Sequence, residues 1–257
     1  MSSGRVIAWR VEQHDVVDST QDVLKRRLAG GEDVAWVVVR ANAQTAGRGR
    51  RGGEWRSGAG GSYSTFAIPE PVGLGTAPWF PLAVGVCVAE ALAGAGTECT
   101  VKWPNDLYYQ DRKLGGILVE RVKGHLLVGI GINVDNTPPP GSVALAGVLT
   151  RAAVSELVVE GMEAALRLAA GTSESASDGL GRRFATRDWL FGKVVTVQDA
   201  VAHAPRAGQP GDVDGPALHG ALTGVACGIA TDGGLLLKVE GCEEPYLVRS
   251  GTIGTYR

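Results

Sequence analysis

Beyond about residue 188 the chain loses every helical pattern. Four short runs, KVVTV, LTGVACGIA, GLLLKVE and YLVRSGTI, follow one another with Gly and Asp turns between them. Runs this short, and this rich in Val and Leu, bury their apolar side chains by pairing with one another. The last segment is therefore predicted to close into a small β-barrel of roughly 65 to 70 residues. A barrel of that size cannot enclose the preceding chain, and 257 residues suffice for one full core plus a small second unit. The expected division is 1–187 and 188–257.

Before that boundary, helix and strand periods mix. DSTQDVLKRRLAGG offers Ser19 and Thr20 as caps, Val23, Leu24 and Leu28 on one face, and a Gly pair as a stop, which predicts a short helix. Pro81 opens an Ala/Val-rich helical stretch to residue 93, and Leu157, Val158, Met162, Ala165, Leu166 and Ala169 share one face of a helix over 154–169. Strands are predicted at 33–41, 62–68, 100–109, 114–122 and 126–134. The small polar run GTSESASDGLG, 171–181, is taken as a loop. No regular strand-helix-strand repeat emerges, so the fold class expected is α+β on a largely antiparallel sheet.

Composition removes several functions. A formal net charge of −2 gives no overall attraction to nucleic acid or an anionic membrane, and leaves only local patches. No apolar run approaches the roughly 18 to 20 residues that span a bilayer. Cys87, Cys99, Cys227 and Cys242 lack ligand spacing and no basic-then-apolar leader is seen, so a reduced cytoplasmic setting without structural zinc is expected. The stretch 203–219, rich in Gly, Pro, Asp and His, is too polar to pack and reads as an insertion in the small unit.

Against this near-neutral background AQTAGRGRRGGEW, 43–55, concentrates three arginines among glycines and closes on Trp55. Gly47, Gly49 and Gly52 spell G-x-G-x-x-G, but that fingerprint must open a helix, and the following GEWRSGAGGSYS has no helical period. What remains is either a solvated basic loop or a phosphate-facing one, in which Arg48, Arg50 and Arg51 meet an anion and Trp55 closes over an apolar ligand. Further on, VKWPNDLYYQDRKLGGILVE sets Asn105 and Asp106 at the turn after Pro104, with Lys113 at the start of the next strand. A hairpin would bring that ammonium near the carboxylate and the amide, although Asp106 also suits an Asx turn and Lys113 a solvated strand end. Lys102 and Trp103 are read as structural. VGIGINVD carries glycines of the kind that close backbone approach requires, either for packing or for a ligand floor.

DST, GRGRRG, KWPND, RKLGGILVE and GIGIN, in this order and over residues 18–133, resemble the biotin protein ligases, also called biotin–[acetyl-CoA-carboxylase] ligases. The resemblance implies a catalytic domain related to class II aminoacyl-tRNA synthetases and an SH3-like terminal domain. It also implies the reaction: biotin and ATP form biotinyl-5′-AMP, with Mg2+ assisting, and biotin then passes to a lysine of a biotin carboxyl carrier domain of acetyl-CoA carboxylase or a related carboxylase. Carried over residue by residue, Ser19, Thr20, Gln21 and Gln44 fall to biotin, and Gly47, Arg48, Gly49, Arg50 and Arg51 to the loop over carboxylate and phosphate, closed by Trp55. Lys113 becomes the cation bridging carboxylate and α-phosphate. Asn105 lies beside Asp106, which orients phosphates or magnesium or acts on the incoming lysine. Gly116, Gly131 and Asn133 line the floor.

The chain departs from the family pattern in two places. Gln21 stands where STN is common, so its amide reaches one methylene further, and Gly53 and Glu54 replace a basic residue before Trp55. Ser19 with Asp22 also spells a helix capping box. Only 17 residues precede Asp18, too few for the DNA-binding domain of some members, so no DNA binding is expected. Lipoate ligation and non-catalytic biotin binding are the rival functions. The latter would spare Ser19, Thr20 and Gln44 and lose Arg48, Arg50 and Lys113.

Overall fold

The computed structural model describes residues 7–70, 78–171, 173–204 and 217–256. The chain runs β1 (Arg10–Val17), α1 (Thr20–Ala29), β2 (Val37–Gln44), a 3-10 turn at Arg50–Gly52, β3 (Ser62–Pro69), α2 (Phe80–Gly94), β4 (Thr100–Lys102), β5 (Asp106–Tyr109), β6 (Arg112–Val122) and β7 (His125–Ile132). It continues through α3 (Arg151–Ala169), α4 (Ser173–Ala185), β8 (Val194–His203), β9 (Ala217–Ile229), β10 (Leu235–Lys238) and β11 (Tyr246–Tyr256). The first seven strands form one sheet in the order β1-β2-β3-β7-β6-β5-β4, and the last four close a barrel. Only β1 on β2 is parallel within the sheet; the other pairs are antiparallel. The barrel pairs are antiparallel throughout.

Strand alternation divides the core. Val38, Phe66, Val128 and Ile130 face α2 and α3, while Val37, Val39, Ala67 and Leu127 face Leu24 and Leu28 of α1. Both sides of the central strands are thus dry, which explains the unbroken valine run at 37–39. The α2–α3 contact is close enough that a Cβ on Gly161 would lie 2.7 Å from the Val88 Cα.

Sheet and barrel meet at a joint built from β4. The Val101 N–H donates to the Arg187 carbonyl at 2.8 Å and its own carbonyl accepts from Trp189 N at 3.1 Å. Trp103 Nε1 donates to the Gly233 carbonyl at 2.9 Å. Between them the Lys102 ammonium, 9% exposed, sits 5.3, 5.4 and 4.8 Å from the ring centres of Tyr108, Trp189 and Tyr256. Burial holds its pKa below the ordinary lysine value. Lys102 and Trp103 thus pack into the joint between sheet and barrel.

Several elements differ from the sequence expectation. β1 was not anticipated: it is a mostly exposed edge strand, RVEQHDVV, with no apolar face. The loop expected over 171–181 is instead largely α4, because Leu180 and Phe184, four residues apart, are both buried against the core. The single strand expected over 100–109 breaks at Trp103 to Asn105, where the Trp103–Pro104 peptide is cis, into β4 and β5. Most of the polar insertion, 205–216, lies outside the described residues. Among the described residues no helix is long and apolar enough to cross a membrane.

Asp188 at the joint yields a pH test. Its Oδ1 accepts from Leu190 N at 2.9 Å, whereas its Oδ2 is buried without a partner, and burial raises its pKa from 3.8 to about 6. A folded pKa above the unfolded one favours the native state fully below about pH 3.8, an advantage lost as pH rises through about 6. Asp188→Asn keeps the Oδ1 acceptor and discards the charge. It is expected to stabilise the fold by about 1–2 kcal/mol at pH 7.5, with the gain shrinking to zero towards pH 4, as read by Tm across that range.

Candidate functional site

α1 covers only half of its face of the sheet. On the uncovered half the register sets Gly116 opposite Gly131 and Thr65 opposite Gly129, so side chains are missing where three strands run side by side. A cavity of about 320 Å3 opens there. Its floor is backbone at van der Waals distance from other groups: a Cβ on Gly129 would stand 2.8 Å from Gln21 Oε1, and one on Gly131 2.6 Å from Trp55 Nε1.

One wall is a chain of short polar side chains. The Gln44 carbonyl oxygen accepts from Thr20 N at 2.7 Å, and its amide donates to Ser57 Oγ at 2.7 Å. The Thr20 and Thr65 hydroxyls are 2.7 Å apart, Thr65 Oγ1 donates to Gln21 Oε1 at 3.2 Å, and Gln21 Nε2 donates to the Leu127 carbonyl at 3.1 Å. The extra methylene of Gln21 thus reaches the backbone of β7 rather than open space. Ser19 is the N-cap of α1 but makes no side-chain cap bond, so the expected capping box does not form. Asp22, its would-be partner, pairs with Arg48 at 2.6 Å. Ser64 Oγ is buried with no hydrogen-bond partner on the opposite face of β3, the side on which the Ser62 hydroxyl lies 3.0 Å from that of Ser155 in α3.

The cations stand on the opposite side. Lys113 Nζ lies 2.7 Å from Asp106 Oδ1 and 5.4 Å from the centre of the Trp55 ring, the hairpin proximity its spacing suggested. Arg50 donates to Asn105 Oδ1 at 3.1 Å, and Asn105 is itself anchored by donating to the Ile117 carbonyl at 2.8 Å. Burial, then the neighbouring Arg51 charge, lower the Arg50 pKa from its ordinary value, as expected of a desolvated cation that gains from an incoming anion. Arg48 is half-exposed on Asp22, which raises its pKa, and Arg51 turns away to the barrel. The three arginines are therefore held by three different partners.

Lys113, Trp55 and Glu54 also border a second cavity of about 230 Å3, shared with Arg56, Asn133 and Ser142. Trp55 Nε1 and Asn133 Nδ2 are buried without partners, two donors at this boundary left for a ligand. Asn133 accordingly lines this second space rather than the larger floor. Gly47 lines neither: its carbonyl accepts from Trp55 N at 2.9 Å, and a Cβ there would strike the Trp55 carbonyl at 2.3 Å. It closes the base of the loop. The other predicted residues, Ser19, Thr20, Gln21, Gln44, Arg48, Gly49, Arg50, Arg51, Trp55, Asn105, Asp106, Lys113, Gly116 and Gly131, all border the larger cavity. Sequence reasoning missed Thr65, although a hydroxyl inside the wholly buried run SYSTFAI was a signal, and Ser57, which lies outside that run and holds the Gln44 amide. It had none for Thr252 of the barrel, which reaches the same cavity.

The Biotin/lipoate A/B protein ligase family matches residues 14–136, the span that builds this site. Over 248 residues the chain is 31% identical to the bifunctional ligase/repressor BirA of Escherichia coli K12, covering 90% of this chain and 70% of that protein. The chain belongs to the biotin protein ligase family. It is 37% identical over 141 residues to the biotin–[acetyl-CoA-carboxylase] ligase of Mycobacterium tuberculosis, covering 51% of this chain and 52% of that one. Among solved structures, the biotin protein ligase from Aquifex aeolicus in complex with biotin and ATP superposes with a TM-score of 0.76 at 27% identity, over 96% of this chain and 98% of that one.

For a ligase of this family the glycine floor carries a direct test. Gly129→Ala drives a methyl into Gln21 Oε1 and breaks the Thr65–Gln21 tie. Losing one buried hydrogen bond is expected to weaken biotin binding about tenfold by calorimetry. A Kd within twofold of the wild type would remove Gln21 from the binding floor.

Proposed function

We propose that the protein activates biotin with ATP and transfers it to a lysine of a biotin carboxyl carrier domain, acetyl-CoA carboxylase being the carboxylase class for which its ligase relatives are named. The observation that carries this is the position of Lys113, whose side chain borders both cavities at once. Biotin in the larger space and the nucleotide in the smaller one would meet at its ammonium. One oxygen of the biotin carboxylate attacks the α-phosphorus, the bond to the β-phosphate breaks, and pyrophosphate leaves. Two anions must approach each other in this step, so Lys113 and the half-buried Arg50 lower its barrier by neutralising charge that grows between them. In the second step the carrier amine attacks the acyl carbon and AMP departs, the amine proton passing to solvent. The mixed anhydride is open to hydrolysis, so Trp55 and the arginine loop serve to keep water out.

Ser19, Thr20, Gln21 and Gln44 take the polar ring of biotin, with Gly116 and Gly131 beneath it, and Arg48, Gly49 and Arg51 complete the loop that Gly47 anchors. Asn133 takes the nucleotide. Asp106 orients Lys113 by its 2.7 Å ion pair. Among the described residues no three His, Cys, Asp or Glu gather into a metal site, and Asp106 is committed to Lys113. Magnesium that assists the step would be held largely by the nucleotide phosphates, with one or two carboxylates at most from the protein. We assign catalysis to residues 1–187 on a class II synthetase-like sheet, and the SH3-like role to 188–257.

ATP–pyrophosphate exchange tests this, run with biotin and in parallel with lipoate. Biotin-dependent exchange is expected; lipoate-only exchange would make the chain a lipoate ligase, and exchange with neither a binding protein. Lys113→Ala should slow adenylate formation about 100-fold or more while transfer from supplied biotinyl-5′-AMP falls less. Equal losses in both steps would move Lys113 out of the bridging role.

A further inference from the structure

We infer that Asp199 and Thr252 of the barrel are positioning residues, which hold the arginine loop over the site by gripping Arg51. The loop is self-contained at its base, where Trp55 N donates to the Gly47 carbonyl at 2.9 Å and Gly49 N to the Gly53 carbonyl at 2.6 Å. Among the described residues, Arg50 on Asn105 and Arg48 on Asp22 tie the arginines of the loop to the sheet domain. Arg51, at φ 55, turns its guanidinium outward instead, with Nη1 3.2 Å from Asp199 Oδ2 and 3.1 Å from Thr252 Oγ1. One side chain thus joins residue 51 to two strands roughly 150 and 200 positions later in the chain.

The barrel is shaped to make this grip. β8 breaks register between Val197 and Ala200, and Asp199 sits in the break at φ 48. β11 breaks register against β8 between Ser250 and Thr252, around Gly251 at φ 155, where a Cβ would lie 2.2 Å from Val197 Cγ1. Bulges re-aim side chains, and these two aim Asp199 and Thr252 at the same guanidinium. The barrel is also a fixed post, since the Lys102 cage and the Trp103–Gly233 bond hold it beside β4, and Val101 pairs with Arg187 and Trp189 in the segment that leads into it. Thr252 borders the cavity under the loop, so the barrel supplies the rim on which the loop closes.

The grip is weak by design of its surroundings. Arg51 is 42% and Asp199 82% exposed, and an exposed ion pair contributes little. A loop that must shut on the adenylate and reopen to the carrier lysine needs a catch of that strength, one that shifts the closed population by a small factor.

This inference rests on the ligase function above, and the test separates the two. Protein loaded with biotinyl-5′-AMP from biotin and ATP is gel-filtered and the release of adenylate is timed, while tryptic cleavage after Arg50 and Arg51 is timed on the same unloaded proteins. Asp199→Ala, Asp199→Arg and Thr252→Val are expected to release adenylate about two- to five-fold faster. Asp199→Arg should be cleaved faster within the loop, and the double variant Arg51→Asp with Asp199→Arg should return release towards the wild-type rate. Unchanged release and cleavage in both Asp199 variants would overturn the latch, as would faster release that the charge swap does not restore. If the wild type forms no adenylate the ligase function fails, and the cleavage rates of the Asp199 variants still decide for or against the latch.

Discussion

The register of β6 on β7, which sets Gly116 against Gly131, is the constraint on which the site depends. A sheet face is normally filled by the side chains that alternate onto it, and α1 fills half of this one with Leu24 and Leu28. Where glycines take the same positions, no side chain rises, and the bare backbone becomes a floor. A shift of one residue in that pairing would turn Ile117 and Ile130 onto this face and send the glycines into the core. The cavity is thus the consequence of a pairing, and the polar wall of Thr20, Thr65, Gln21 and Gln44 is ordered around it by bonds that cross from α1 to β3 and β7.

Positive charge is gathered at the cavity without a matching set of carboxylates inside it. Each cation is held by a separate neighbour: Lys113 by Asp106, Arg48 by Asp22, Arg50 by a neutral amide and Arg51 by the barrel. Distribution of this kind keeps four like charges apart while no anion is bound. The least compensated is Arg50, desolvated and beside Arg51, and an incoming phosphate relieves it most.

The barrel enters this arrangement through a buried lysine. Among the described residues Lys102 has no carboxylate within salt-bridge distance, and three aromatic rings plus the Tyr108 hydroxyl at 3.2 Å offset part of its desolvation. Lys102 is also paired in register with Asp106 across the β4–β5 hairpin. The residue that docks the barrel and the residue that holds Lys113 are therefore opposite each other on one short turn, so barrel docking and active-site geometry share a scaffold.

Much of this was legible in the sequence, for physical reasons that differ by residue. Valine runs, glycine pairs and the 3.6-residue period mark the central strands and three of the four helices, since each reflects local burial or local backbone geometry. The chemistry of Arg48, Arg50, Asp106 and Lys113 was legible too, because cations among glycines and an N-D turn before a lysine state what they can bind. The tertiary structure alone decided what depends on distant partners. SESASDGLGRRFA is helical only because the core accepts Leu180 and Phe184, and RVEQHDVV is a strand only because β2 offers it a parallel edge. Thr65 counts as a site residue because β3 lies beside α1, and Arg51 belongs to the barrel because two bulges bring Asp199 and Thr252 within reach. Spacing along a chain carries the period of its elements, whereas contacts between residues 51 and 252 are set by the packing of whole elements, which no local pattern encodes.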